Sequence, residues 1–237
     1  MAGIELVQLR KAYTVDQRRI PILNGLDLSI PEKAITVVLG KSGCGKTTLL
    51  RLIAGLEQPD SGQIVLPGNQ RTAFVFQEPR LLPWLSVLGN VQFPLKRVEI
   101  QPDETRWMLR TVGLTGFERA LPHQLSGGMQ QRAALVRALL YHPTLILMDE
   151  PFAALDHFTR ADMQQALLDI QQKTSASILF VTHSIDEAMT LGNKLVILAG
   201  GVIRSAYTLT NPHPRDLLEP EMIDLRRRII EDLNHTH

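Results

Sequence analysis

The chain has 237 residues, enough for one sizeable hydrophobic core or for one core with a small subdomain. Its 25 basic and 24 acidic side chains give a net charge of +1, which excludes a broad basic surface for nucleic acid or anionic lipid. A single cysteine excludes an internal disulfide and favours a reducing compartment. The first ten residues lack the apolar stretch of a secretory signal, and no segment reaches the roughly 20 apolar residues of a membrane span. We therefore expect a cytoplasmic protein whose membrane role, if it has one, is peripheral.

The first third of the chain predicts two kinds of strand. Apolar stretches at residues 4–9, 20–25 and 26–30 alternate with turn residues, which is typical of an antiparallel sheet. The apolar, β-branched run at 35–39 predicts a buried parallel strand, and residues 48–54 predict the helix that follows it. Two further strands are predicted at 63–66 and 72–76.

The remaining two thirds switch between helical and strand patterns. Residues 88–141 have helical periodicity and predict an inserted helical subdomain. Strands are predicted at 145–148, 177–181 and 194–198, with a helix at 160–173 between the first two. Strands that alternate with helices favour a parallel sheet wrapped by helices. A linker at 211–214 and an amphipathic helix over 217–233 complete the chain.

A glycine-rich loop joins the strand at 35–39 to its helix. Residues 40–47 have the sequence GKSGCGKT, which fits the phosphate-binding pattern GxxxxGK[ST]. In this pattern the backbone N–H groups turn toward an anion, Lys46 reaches the β- and γ-phosphates, and the Thr47 hydroxyl ligates Mg²⁺. The strand, loop and helix N-terminus together predict an ATP site.

Two later motifs extend this prediction. The sequence LSGGMQQR at 125–132 predicts a helix capped by Ser126, with Gly127 and Gly128 allowing close backbone approach. Asp149 and Glu150 follow an apolar strand, so both carboxylates should emerge at its C-terminal end, where open α/β sheets bind ligands. This position predicts that Asp149 holds Mg²⁺ and that Glu150 orients and deprotonates the attacking water.

In this order the three motifs resemble the nucleotide-binding subunit of ABC transporters, and the resemblance covers nearly the whole chain. It implies an α/β fold with a P-loop NTPase (RecA-like) core, an antiparallel β subdomain and an inserted α-helical subdomain. The expected division is a core with its β subdomain at 1–87 and 142–210, a helical signature subdomain at 88–141 and a C-terminal helical tail at 211–237. All of it would form one ATPase domain.

The resemblance also implies roles for three single residues. Gln77 matches a glutamine that touches Mg²⁺ and the attacking water, and whose loop senses the membrane partner. His183 matches a switch histidine that bonds the γ-phosphate. Tyr13 stands where the family stacks an aromatic ring on adenine, an interaction worth about 1 kcal/mol by analogy with aromatic pairs. The structural alternative for Tyr13 is ordinary packing at a sheet edge.

The family's active form implies a second copy of the chain. Two subunits meet head to tail, each covering the nucleotide of the other with its Ser126 helix, and the loop at 153–156 crosses the interface. Ala153 stands where many relatives carry serine, which removes one expected hydrogen bond across it. The implied nucleotide-binding residues are Tyr13, Gly40, Lys41, Ser42, Gly43, Cys44, Gly45, Lys46, Thr47, Thr48, Ser126, Gly127, Gly128 and Gln130. The implied metal ligands are Thr47, Gln77 and Asp149. The implied catalytic residues are Glu150, His183, Lys46 and Gln77.

The segment after Gln77 has the sequence EPRLLPWLSVL at 78–88 and is unusually apolar for the start of a loop. We expect part of it to line a groove for a short helix of a membrane-spanning permease. Packing between the helical subdomain and the sheet is the alternative. The sequence of residues 78–84 most resembles that of ATPases of importers for nitrate, taurine and aliphatic sulfonates. In these importers the permease and an extracytoplasmic binding protein select the solute. The resemblance to this importer group implies that the chain lies at the cytoplasmic face of the inner membrane.

Two other classes remain open at this point. A soluble ABC ATPase acting on DNA, ribosomes or cluster assembly would keep the same motifs, although the long insertions or tandem cassettes of the DNA and ribosome versions are absent from the sequence. A small-molecule kinase would share only the phosphate loop. We also expect the Cys44 thiolate to be stabilised and reactive, because Cys44 precedes a helix N-terminus.

Overall fold

The computed structural model describes residues 3–68, 70–95 and 102–234. Parts of three predicted regions lie outside these residues: residues 1, 2 and 69 of the core with its β subdomain, residues 96–101 of the helical subdomain and residues 235–237 of the tail. Within the described residues the fold is α/β, with two sheets and helices packed around the larger one.

The smaller sheet is antiparallel, as the sequence predicts. Its strands are β1 (Ile4–Val15), β2 (Arg18–Ile30) and β4 (Ser61–Val65), in the order β2-β1-β4. Asp16 and Gln17 join β1 to β2 with φ angles of 48° and 64°, so the turn is a two-residue hairpin with both residues in the left-handed region.

The larger sheet forms the centre of the molecule. It contains β3 (Ile35–Leu39), β5 (Thr72–Val75), β6 (Leu145–Asp149), β7 (Ser177–Thr182), β8 (Lys194–Ala199) and β9 (Val202–Thr208), in the order β5-β6-β7-β3-β8-β9. The first five strands of this order are parallel, and β9 pairs antiparallel with β8. Every residue of β3, β6 and β7 is buried, which explains their continuous apolar runs.

Seven α-helices surround this sheet in the described residues. The predicted periodicity is present in α2 (Val87–Gln92), α3 (Pro102–Thr111) and α4 (Gly127–Leu139), which form the helical segment between β5 and β6. Their apolar faces share one buried cluster with the sheet, in which Val91, Met108 and Leu139 join Ile146. The other four helices are α1 (Lys46–Ile53), α5 (His157–Thr174), α6 (Ile185–Leu191) and α7 (Pro220–Asn234).

The sequence patterns do not predict α6 or β9. Helix α6 has only seven residues, too few for a clear period, although Ser184 caps it by accepting a hydrogen bond from the Glu187 N–H. Strand β9 is half exposed and alternates, and Gly200 and Gly201, with φ of 58° and 77°, form the tight hairpin before it. The expected parallel sheet therefore carries one additional antiparallel strand at this edge.

The predicted linker at 211–214 is held firmly by Arg215. Its guanidinium donates to the carbonyls of Met189 (2.8 Å) and Gly192 (2.7 Å) at the end of α6, and to those of Asn211 (3.0 Å) and Leu209 (3.4 Å). A cation at a helix C-terminus also complements the helix dipole. Arg215 thus fixes where the chain turns toward α7.

We expect Arg215→Ala to lower the free energy of unfolding by about 2 kcal/mol, because several partly buried carbonyls lose their donors. Arg215→Lys should recover little, since one ammonium cannot reproduce the planar fork. Arg227→Ala is the control, because its pair with Asp224 is exposed on both sides. Chemical denaturation would measure all three, and equal losses for Arg215→Ala and Arg227→Ala would contradict the assignment.

Candidate functional site

The glycine-rich loop occupies the C-terminal end of β3, the position predicted for it. Gly43 and Gly45 have φ of 80° and 107°, in the left-handed region that glycine adopts freely, and Gly45 precedes the first residue of α1. A Cβ at Gly40 would lie 2.6 Å from both the Cys44 Sγ and the Leu198 carbonyl oxygen, so no larger residue fits. Lys41, Ser42 and Thr47 are exposed around the loop, whereas Thr48 is buried in α1.

Lys46 lies beneath this loop and is 5% exposed. Its Nζ donates to the carbonyl oxygens of Gly40 (2.8 Å) and Lys41 (3.0 Å), and it lies 3.5 Å from Glu150 Oε1. A buried ammonium requires anionic or carbonyl partners, and here the loop's own carbonyls supply them. The lysine is therefore fixed at the mouth of the loop.

Thr47 and Asp149 bring two oxygen ligands together across the sheet. The Thr47 hydroxyl donates to Asp149 Oδ1 at 3.2 Å, and Asp149 is 7% exposed. Burial raises the pKa of Asp149, although the Thr47 hydrogen bond opposes this shift. Hydroxyl and carboxylate oxygens are ligands that Mg²⁺ prefers, and a divalent ion would offset the cost of burying this carboxylate. The pair fits the predicted metal site.

Glu150 and His183 meet at the ends of two neighbouring strands. Glu150 follows β6 with φ of 45°, and its N–H donates to the Val181 carbonyl at 3.0 Å. This backbone turn directs its carboxylate to His183, whose Nδ1 lies 2.8 Å from Glu150 Oε2. Because a carboxylate only accepts, the proton of this bond resides on Nδ1. The sequence placed both residues at this edge but did not predict their direct contact.

A buried relay behind His183 was missed by sequence reasoning. The Thr182 hydroxyl donates to Glu187, a buried carboxylate on α6 that also lies 3.5 Å from Arg160 Nε. Arg160 in turn donates to the Leu155 carbonyl at 2.8 Å. The relay connects the loop at 153–156 with the segment that carries His183. A glutamate three residues after the cap of a short helix, at Ser184 and Glu187, was the available signal.

Gln77 and Tyr13 lie at the edges of the site. Gln77 is exposed in the bend after β5, two residues beyond Val75, whose parallel partner is Met148. Gln77 therefore lies just beyond the C-terminal end of β5, the strand that neighbours β6. Tyr13 lies within β1, and its hydroxyl donates to Glu57. Burial and this hydrogen bond raise the pKa of Tyr13, and the nearby Thr48 of α1 opposes the shift.

The signature segment lies on a different part of the same chain. Ser126 caps α4 by accepting from the Met129 N–H at 3.2 Å, with Gly127 and Gly128 in the first turn. Gln130 donates to the carbonyls of Pro122 (3.0 Å) and Leu125 (3.3 Å), which fixes the chain before the helix. Helix α4 packs on β5, three strand positions or about 14 Å from β3.

The expectation of a reactive Cys44 is wrong. The thiol lies partly buried under the loop, in contact range of Gly40, and burial raises its pKa more than Lys46 lowers it. Its position near a helix N-terminus therefore does not yield a stabilised thiolate.

A cavity of about 750 Å³ opens at the opposite end of the sheet, among residues such as Ile4, Trp107, Ile146 and Lys173. It lies at the amino-terminal ends of β6 and β7, away from the motifs. A smaller cavity of about 260 Å³ adjoins the phosphate loop beside Gly40, Lys41 and His183. Within the described residues, no helix combines the length and apolar character needed to cross a bilayer.

Comparisons with known proteins agree with this geometry. The model of the ABC transporter family matches residues 23–153, more than half of the chain. An uncharacterized ABC transporter ATP-binding protein of Methanocaldococcus jannaschii is 41% identical over 97% of this chain and 91% of its own length. The aliphatic sulfonates import ATP-binding protein SsuB 1 of Paracoccus denitrificans is 44% identical over 90% of this chain and 88% of its own.

Solved structures give the same result at the level of the fold. A dimeric ATP-binding cassette in a post-hydrolysis state, bound to ADP and Pi, superposes with a TM-score of 0.79 and 30% identity, covering 88% of this chain and all of that one. The predicted fold class is thereby confirmed, and so are ATP and Mg²⁺ as the ligands of the family. The chain belongs to the ABC transporter family, as an ATP-binding subunit that hydrolyses ATP to drive transport.

Proposed function

We propose that this chain energises an importer of aliphatic sulfonates or closely related small anions from the cytoplasmic face of the inner membrane. The observation that carries the ATPase part is the convergence of Lys46, Asp149, Glu150 and His183 at one edge of the sheet. The sulfonate part rests on the 44% identical SsuB 1 relative and on the sequence of residues 78–84.

In the proposed reaction each residue acts through the contacts described above. Lys46 neutralises the terminal phosphates at the N-terminus of α1, where the helix dipole also favours an anion. Glu150 orients and deprotonates the attacking water, and His183 holds the Glu150 carboxylate in place. Thr47 and Asp149, with Gln77 beside them, would hold Mg²⁺, which supplies charge neutralisation of the phosphates.

The covering residues are proposed to come from a second copy of the chain. About 14 Å of sheet separates the strand under α4 from β3, so the Ser126 helix tip of one protomer is poorly placed to reach its own phosphate loop. A head-to-tail dimer would place Ser126, Gly127, Gly128 and Gln130 over the partner's nucleotide. The dimeric cassette that this chain resembles supports such an arrangement.

The permease is proposed to contact the segment at 78–88. Trp84 is 72% exposed, and Leu88 on α2 is 37% exposed. The segment is rigid, because the buried Asn90 amide bonds the backbone of Leu82 and Leu85 and Arg137 donates to the Arg80 carbonyl. A rigid loop that displays a large exposed aromatic side chain suits docking of a short helix better than internal packing.

We expect Glu150→Gln to reduce ATP turnover about 100-fold or more, because the general base is lost. The same change removes a negative charge 3.5 Å from the Lys46 ammonium, which should strengthen ATP binding and trap the closed dimer. Turnover assays and light scattering with ATP would measure both effects. Glu221→Gln on the exposed side of α7 is the isosteric control. A variant that stays monomeric with ATP and hydrolyses it normally would refute the assigned chemistry.

Trp84→Ala should release the chain from its permease in detergent while leaving ATP hydrolysis of the isolated subunit unchanged. The reason is that an exposed aromatic at the centre of an interface is a typical energetic hot spot. Co-purification with the permease would measure the loss, and Leu56→Ala, at 59% exposure elsewhere, is the control. Unchanged co-purification of Trp84→Ala would exclude this docking site, and the lack of any membrane partner for the wild type would favour a soluble ABC ATPase.

The proposed solute class predicts selective stimulation of the assembled transporter. In proteoliposomes with the cognate permease and binding protein, alkanesulfonate should raise ATP hydrolysis above the level without solute. Taurine and nitrate, the other solutes of the importer group that the sequence resembles, are tested in the same assay as alternatives. Stimulation by nitrate alone would reassign the solute and leave the ATPase assignment intact.

A further inference from the structure

One large side chain near the nucleotide-facing edge projects into solvent. Phe158, the second residue of α5, is 81% exposed, more than Trp84 or any other large hydrophobic residue in the described part of the chain. Its ring is held edge-on by His157, with 5.6 Å between ring centroids. Asp156 caps the helix by accepting from the N–H groups of Phe158 and Thr159, both at 3.1 Å. The ring is therefore presented on a fixed backbone.

An apolar cavity opens on the same edge of the sheet, beside the phosphate loop. Its volume is about 260 Å³, and its walls include Leu39, Ile185, Ile230 and Leu233 next to Gly40 and His183. Ile230 on α7 is 41% exposed there, and Ile223 one heptad earlier is 44% exposed. Both lie away from the buried face formed by Met222, Leu225 and Ile229.

The cavity wall made by α7 is anchored to the rest of the protein. Arg226 pairs with Asp186 of α6, and the Tyr207 hydroxyl donates to Asp232 at 2.5 Å. Burial and the hydrogen bond to Asp232 raise the pKa of Tyr207 to about 12, so the phenol keeps its proton at neutral pH. Helix α7 thus forms a preformed wall, which lowers the ordering cost of binding an apolar group.

In one chain, the Phe158 ring and the cavity lie beyond the ends of different strands. Helix α5 follows β6, whereas Leu39 and Gly40 end β3, and β7 separates the two strands. Both nevertheless face the edge where the nucleotide binds. A twofold dimer that closes over the nucleotide brings these edges together and offers each ring to the other chain's cavity.

We propose that Phe158 of each protomer inserts into the Leu39, Ile185 and Ile230 cavity of the partner when the dimer closes on ATP. The inference rests on the proposed head-to-tail dimer and adds an apolar contact directly beside the nucleotide site. By symmetry the contact occurs twice in each dimer. It would connect α7 of one chain to α5 of the other, next to His183 and the loop at 153–156.

The test uses the Glu150→Gln protein, whose ATP-bound dimer can be measured by analytical ultracentrifugation. Truncating one buried phenyl should weaken association by about 10-fold. Because Phe158→Ala truncates the ring in both protomers, it should raise the dimer Kd about 100-fold. Phe158→Leu should recover most of this loss. Leu56→Ala removes another exposed large hydrophobic side chain, away from both the ring and the cavity, and should leave the Kd unchanged.

A covalent test locates the contact. Phe158→Cys with Ile230→Cys should form a covalent dimer on mild oxidation, only with ATP, whereas each single variant with the native Cys44 should not. A Glu150→Gln protein that dimerises on ATP, with a Kd insensitive to Phe158→Ala and no such crosslink, overturns the inference and leaves the proposed function standing. Equal weakening by Leu56→Ala also overturns it. A Glu150→Gln protein that stays monomeric overturns both.

Discussion

The buried ammonium of Lys46 is the constraint around which the site is arranged. Two carbonyl oxygens of the phosphate loop and the Glu150 carboxylate surround it, so its charge is balanced before any nucleotide arrives. This balance requires that the ends of β3 and β6 be close, which the parallel order β6-β7-β3 provides. The same edge then collects Asp149 and His183, because Asp149 ends β6 and His183 follows β7. One buried charge and one sheet topology thus account for the whole cluster.

The signature helix is connected to the loop that faces the proposed permease. Gln131, which is buried, donates to the Phe76 carbonyl at 3.0 Å, and Arg137 donates to the carbonyls of Pro79 (2.9 Å) and Arg80 (2.8 Å). Arg80 also lies over the Phe76 ring, 4.0 Å from its centroid. These bonds attach residues 76–80 to α4, the helix that begins at the Ser126 cap. If the permease docks at residues 78–88 as proposed, these bonds would connect it to the helix that covers the nucleotide.

Most of the site could be predicted because its residues are tied to strand ends. An apolar run followed by Asp149 and Glu150, and another followed by His183, locate three side chains at one edge without any coordinates. The contact between Glu150 and His183 could not be predicted, since it depends on the positive φ at Glu150. The Cys44 prediction failed for a related reason. Helix position can be inferred from the sequence, but the desolvation that raises the pKa of the Cys44 thiol depends on tertiary packing.

Glu187 has a consequence for how the two halves of a closed dimer would move. Its carboxylate joins Thr182, next to His183, and Arg160 holds the Leu155 carbonyl in the loop before α5. Glu187 is buried, so separation from Arg160 would leave its carboxylate without a cationic partner. The bridge therefore links the segment that carries His183 to the loop before α5. If that loop touches the other protomer's nucleotide, hydrolysis at one site would alter the geometry of the second site. The two sites would then hydrolyse ATP cooperatively.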